Sequence, residues 1–269
     1  MKRICLIVWM LIAVLAIAFS AAGENAPWDC PDCGRTGNTG NFCGGCGHPA
    51  PKIDSALVIR GAGDIVTFGT YPQTKDGTDQ TPIEWIVLAY DEANRKALLL
   101  SLYGLDAKPY GPSTNVTWET STIRAWLNGE FLNKAFNAKE QSAILVTNVN
   151  NGSRQGYSKW KTDGGNNTQD RVFLLSYMEA NRYLDVTQDD SSNKKSRVAA
   201  TEYAITQKEV TTDSKQTADG RPAVWWWLRS PGYSQRSAAA VSSDGSLSRH
   251  SAYDGNGAVR PAFWLNLEP

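Results

Sequence analysis

The sequence predicts an α+β domain with long loops, preceded by a small four-cysteine module. Three observations predict it. Strand-like segments, then helix-like ones, then strands again follow one another without regular βαβ alternation. Polar stretches rich in Gly and Asn separate them, the longest at 148–170. Four cysteines crowd between positions 30 and 46, ahead of the first strand signal.

Bulk composition narrows the class. Of 269 residues, 41% are hydrophobic and 20% charged, which supports a globular core over disorder. Formal charge is zero, and residues 1–22 hold Lys2 and Arg3 but no acid. Without them the chain has 25 bases against 27 acids, a net of −2. There is no basic field, so nucleic acid is not an expected partner. Ten Trp and 23 Gly suit a β-rich, irregular domain with aromatic anchors.

Residues 1–22 read as a signal peptide. Met1-Lys2-Arg3 is a basic start, residues 4–19 are apolar, and Ser20-Ala21-Ala22 puts small residues at the −3 and −1 positions for cleavage after Ala22. No Cys follows at a lipobox position. The alternative is an uncleaved membrane anchor, since 19 apolar residues just reach across a bilayer. Either way the rest of the chain is expected outside the cytoplasm, secreted or at the cell surface. A membrane is met only through this segment if it is uncleaved.

Residues 27–49 read as a zinc ribbon. Cys30, Cys33, Cys43 and Cys46 form a C-x2-C-x9-C-x2-C pattern, with Gly34 and Gly47 directly after each pair. Two CxxC turns point four thiolates at one tetrahedral ion, and each Gly lets backbone amides approach the sulfurs. A closed four-thiolate site is structural, with no open position for chemistry. Two disulfides are the alternative, because exported chains meet oxidants. Residues 50–63, Pro- and Gly-containing, are a linker.

The large domain occupies 64–269. Residues 64–69, 83–88 and 96–102 read as strands, the last two joined by the turn Asp91-Glu92-Ala93-Asn94. Residues 103–117 are loop. Residues 120–127 are helical, with Ile123, Trp126 and Leu127 on one core-facing side, and Asn128-Gly129 ends or interrupts them. Phe131, Leu132 and Phe136 suggest a further turn. Asn137-x-x-Glu140 and Ser176-x-x-Glu179 are capping boxes opening helices to about 145 and 183. Residues 171–175 read as a strand, 185–197 as loop, 199–206 as a short helix and 211–222 as loop.

The C-terminal stretch, 225–267, reads as two aromatic blocks around a polar middle. The β-branched and aromatic run 224–228 is a strand. Strand side chains alternate, so Trp226 faces away from Trp225 and Trp227. Arg229-Ser230-Pro231-Gly232 breaks it. Residues 238–241, Asp244-Gly245 and 247–253 read as a hairpin whose two turn positions want positive φ. Residues 258–267 close the chain as one strand, with Pro261 at an edge, a start or a bulge.

The segments IVTFGTYPQ, PIEWIVL, ALLLSLYGL, VTWETSTIRAWLNGEFLNKAF, QDRVFLLS, WWLRSPG and AVRPAFWLNL together resemble an uncharacterised bacterial domain family. That family is related to the variable proteins of diversity-generating retroelements, and the resemblance covers about 64–267. It implies a C-type-lectin-like fold, similar to that of the formylglycine-generating, sulfatase-modifying enzymes. It makes Arg229 and Arg260 structural, the latter where related sequences carry a GFR-like motif. It makes Tyr233, Ser234, Gln235, Arg236 and Ser237, with Ser248, Arg249, His250, Ser251, Tyr253 and Asp254, the diversified ligand-facing positions. Randomised adenines in asparagine-like codons favour most of these residue types, Gln235 fitting least. The lectin calcium motifs WND and EPN or QPD do not occur. Calcium-dependent sugar binding by that route is therefore not expected. No Cys follows Cys46, which excludes formylglycine-type cysteine chemistry.

Other chemistry is weakly signalled. The only histidines are His48, read as linker, and His250, and no GxSxG, HExxH or phosphate-binding glycine loop occurs. Glu84, amid apolar neighbours, is either solvent-facing or paired, with Arg229 or Arg260 as candidates. Tyr, Ser, Arg, Asp and Gly on a rigid β scaffold suit a paratope-like surface. Tyr233, Arg236, Arg249, His250 and Tyr253 are expected to form one patch for an external protein or glycan. The rivals are an enzyme with an unrecognised site and a structural envelope module.

Overall fold

A computed structural model describes residues 33–37, 45–46 and 57–268, apart from Ser113, Glu209 and Thr211. The chain divides into two units, Met1–Ser55 and Ala56–Pro269. In the first, Cys33 and Cys46 are exposed, while Cys30 and Cys43 lie outside the described residues, as do residues 1–22.

The second unit is α+β and mostly strands. Strands β1 (Ile65–Tyr71), β2 (Thr81–Asp91) and β3 (Lys96–Ser101) form an antiparallel meander. Alternation explains it: in β2, Ile83, Trp85 and Val87 are buried while Pro82 and Glu84 are exposed. The short strand β4 (Asp106–Ala107) lies inside the stretch expected to be loop. Helix α1 (Thr122–Trp126) is capped by Ser121, passes into a π turn at Leu127–Phe131, and continues as α2 (Leu132–Ala135). Asn128 thus interrupts the helix. Its side chain donates to the carbonyls of Arg124 and Val172, which ties the turn to a distant segment.

Both capping boxes form. Asn137 and Glu140 open α3 (Ala138–Ala143), and Ser176 and Glu179 open α4 (Tyr177–Leu184). Between them the long polar loop contains a two-stranded pair, β5 (Thr147–Val149) and β6 (Thr168–Asp170). Residues 171–175 are not a strand. Their side chains are buried from Val172 to Leu175, but their backbone is held mostly from outside a ladder. Asn128 Oδ1 accepts from Arg171 N and Val172 N, and Phe173 forms a single bridge to Ala262. Helix α5 (Glu202–Lys208) begins later than expected, because Ala200 pairs with Gly104 and Thr201 Oγ1 accepts from Ala204 N.

Strands β7 (Trp226–Pro231), β8 (Ser237–Val241) and β9 (Leu247–Ser251) form the C-terminal sheet. Strand β7 runs through Pro231 instead of breaking at Arg229, with a register shift between Trp227 and Pro231. The final stretch is two strands, not one: β10 (Ala258–Val259) joins β7 in parallel and β11 (Ala262–Asn266) joins β3. The sheets are therefore β1-β2-β3-β11 and β4-β10-β7-β8-β9, and Arg260-Pro261 is the crossing between them. Pro261, having no N–H, suits a position between ladders. Beside the crossing, Phe263 meets the Trp85 ring edge-on at 4.7 Å, with Phe68 and Phe136 packed around them.

Candidate ligand-binding surface

The polar middle is presented by β8, β9 and the loop 232–237. Residues Ala238, Ala239, Ala240 and Val241 are fully buried, so β8 is a buried small-residue strand that holds the edge strand β9 beside it. The hairpin turn is longer than two residues. Gly245 N donates to Ser242 O and Ser242 N to Ser246 O, and only Gly245, at φ 93°, is left-handed. A side chain there would also collide with the carbonyl of Asn193, so glycine is required twice over.

The 232–237 loop is tied down. Gly232 N donates to Ser237 O, and Ser237 Oγ donates to Ser234 O. Gln235 accepts from Val116 N through its carbonyl and donates through Nε2 to Asp163 O. Ser234, Gln235 and Ser237 thus build the turn. Asp254 does the same beyond β9, accepting from Ser251 N at 3.1 Å. Ala252 N donates to Arg236 O, which brings the two polar stretches together.

Tyr233, Arg236, Arg249 and Tyr253 are exposed; Ser234, Gln235, Ser237, Ser248, His250, Ser251 and Asp254 are half-buried. The two tyrosines retain 63% and 62% of their surface, and no other aromatic ring among the described residues is exposed. The Arg249 guanidinium lies over the Tyr233 ring at 4.7 Å, a cation–π pair that preorganises both.

His250 does not join them. The β8–β9 register is unbroken, so Arg249 and His250 point to opposite faces. The His250 ring stacks on Trp225 at 3.8 Å, and Trp225 meets Trp227 edge-on at 4.7 Å. The expected five-residue patch therefore loses His250, which belongs to the aromatic backing. Trp226 faces the other way, under the Arg260 guanidinium, with its Nε1 donating to Ser196 O.

Burial pushes the His250 imidazole below its ordinary pKa of 6.5, against an opposing pull from Asp254. The unfolded chain then takes up the proton first. Stability supplied above the unfolded pKa is lost as pH falls through the folded value. The stability of the wild type relative to His250→Gln is expected to fall as pH drops below about 6.5. Denaturant melts at several pH values check this, and a pH-independent difference contradicts it.

Arg229 is 3% exposed and fully engaged. It pairs with Glu179, and donates to Leu174 O, Asn150 O and Asn151 Oδ1. Arg260 is 4% exposed and only partly engaged. Its Nε donates to Ser101 O at 2.8 Å, but Nη1 has no partner. Burial lowers its pKa to about 9, so it stays charged at neutral pH. Glu84 pairs with neither; it is exposed and solvent-facing. Among the described residues no group of three or more His, Cys, Asp or Glu could hold a metal, and no helix is long and apolar enough to cross a membrane.

One feature escaped the sequence. Residues 62–63, 86–88, 102–103, 183–184, 194–195, 197–199, 217–219 and Arg260 line a cleft of about 610 Å³. Its only sequence signal was an arginine inside the apolar run AVRPAF.

Residues 94–267 match the DUF6273 family, a domain of unknown function, and the chain belongs to that family. No curated protein and no solved structure matches it.

Proposed function

We propose that this DUF6273 member is an exported, non-catalytic ligand-binding protein whose β8–β9 hairpin and 232–237 loop engage an external protein or glycan. The observation carrying this reading is the exposed Tyr233–Arg249 pair, on a sheet whose neighbouring loop is fixed by hydrogen bonds. Aromatic rings and a guanidinium held rigidly in solvent give contact area at little entropic cost. Two linked sheets with few helices and long loops support a C-type-lectin-like fold. Diversification of the hairpin would account for its residue types.

The four cysteines form a structural zinc ribbon in this reading. Gly34, directly after Cys33, is left-handed at φ 71°, which fits a CxxC turn curling its amides toward a sulfur. Export rests on the basic and apolar character of residues 1–19 and the small residues at 20–22.

The test is the triple variant Tyr233→Ala, Arg249→Ala, Tyr253→Ala. Against a glycan array and a displayed library of extracellular proteins, it is expected to lose at least about 2 kcal/mol of binding to whatever the wild type selects. Its melting temperature is expected to stay close to wild type, because exposed side chains contribute little to stability. Undiminished binding by the folded variant contradicts the proposal.

A further inference from the structure

A cleft lies beside Arg260, where the chain crosses between the two sheets. A buried guanidinium without an anionic partner is costly, and a buried polar atom without a hydrogen bond calls for a missing partner. Arg260 lines the cleft, is 4% exposed, and leaves Nη1 without a partner. It is held in place by Nε donating to Ser101 O and by the Trp226 ring, 5.0 Å from the guanidinium.

The charges around it do not supply an anion. Arg197 spends its donors on the neutral carbonyls of Asp244, Gln216 and Ser191. Lys195 is paired with Asp185 at 2.8 Å, and Lys194 is exposed on the rim without a carboxylate partner among the described residues. The one acid on the wall, Asp219, is engaged by Arg221 at 2.8 Å. Cationic charge is in surplus. The remaining wall is mostly apolar, with Ile86, Leu102, Leu184 and Val198 beside Tyr103, Tyr183 and Thr217. Its volume is in the range of pockets for small organic ligands.

We infer that this cleft binds an organic acid: its anionic headgroup pairs with Arg260, and its apolar body lies along Ile86, Leu102, Leu184 and Val198. A guanidinium fork suits a carboxylate or a phosphate in two-point contact. Lys194 and Arg197 add attraction at the mouth.

Titration calorimetry of the full chain with decanoate, decyl phosphate and decyltrimethylammonium tests it. At least one of the two acids is expected to bind at one to one, and the tighter of them identifies the headgroup. The cation, with the same tail, is expected to bind at least about tenfold more weakly. Ala218→Trp, which puts a bulky side chain at an exposed position lining the cleft, is expected to weaken the acid at least about tenfold in a folded chain. Arg260→Met is expected to do the same; should it fail to fold, Ala218→Trp decides alone. Equal affinity for acid and cation, no saturable binding of either acid, or an Ala218→Trp variant that binds the acid undiminished would each overturn the site. The hairpin triple variant is expected to bind the acid as wild type does, so the two sites stand or fall separately.

Discussion

Replacing Arg229 with Leu is expected to lower stability by about 3–5 kcal/mol. Arg229 ties three segments that are far apart in sequence. Its guanidinium pairs with Glu179 in the first turn of α4, donates to Leu174 O at 2.8 Å, and reaches Asn150 O and Asn151 Oδ1 at 3.2 and 3.3 Å. Its own carbonyl accepts from the Tyr110 hydroxyl at 2.7 Å. Leucine fills the volume but leaves these acceptors facing an apolar side chain, and each stranded buried group costs about 1–3 kcal/mol. The Glu179 side chain keeps 29% of its exposure and can turn to water, which moderates its share. Arg229→Lys is expected to recover only part of the loss, because one ammonium cannot serve four directions at once. Urea denaturation measures the difference, and a leucine variant as stable as wild type would contradict this role.

Zinc removal is expected to be larger still, and local. Residues 27–49 are too few to bury a core, so in the proposed zinc ribbon metal binding would be folding free energy, about 10–16 kcal/mol in small peptides near neutral pH. A strong chelator, or Cys43→Ser, is expected to abolish hydrogen-exchange protection within 27–49. The domain 57–268, with its own aromatic core around Trp85 and Phe263, is expected to keep its near-ultraviolet circular dichroism. Metal analysis of the wild type is expected to return one zinc per chain. No metal with four oxidised cysteines would show two disulfides instead.

What the sequence revealed was local. The capping boxes at Asn137 and Ser176 form because their partners lie three residues on. The 91–94 turn forms for the same reason, with Asp91 accepting from Asn94 N. The period-two rule placed Trp226 opposite Trp225 and Trp227, and the same rule separates Arg249 from His250. What stayed hidden was non-local. Residues 258–267 read as one strand because Arg260 and Pro261 are flanked by apolar residues on both sides. Only the positions of β3 and β7 divide them between two sheets. Residues 171–175 have strand-like side chains, but Asn128 and Ala262 take most of the backbone groups a ladder would need. The cleft draws its walls from separate segments between residues 62 and 260, and no spacing pattern signals such an assembly.

The most direct measurement of the central claim is a hydrogen-exchange footprint of the wild-type chain with a ligand that it selects from the array or library. Protection is expected at residues 232–237 and 247–254, centred on the Tyr233–Arg249 pair, with little change in the already buried β8. Protection confined to other surfaces, with these two stretches exchanging as in the free chain, would contradict the account.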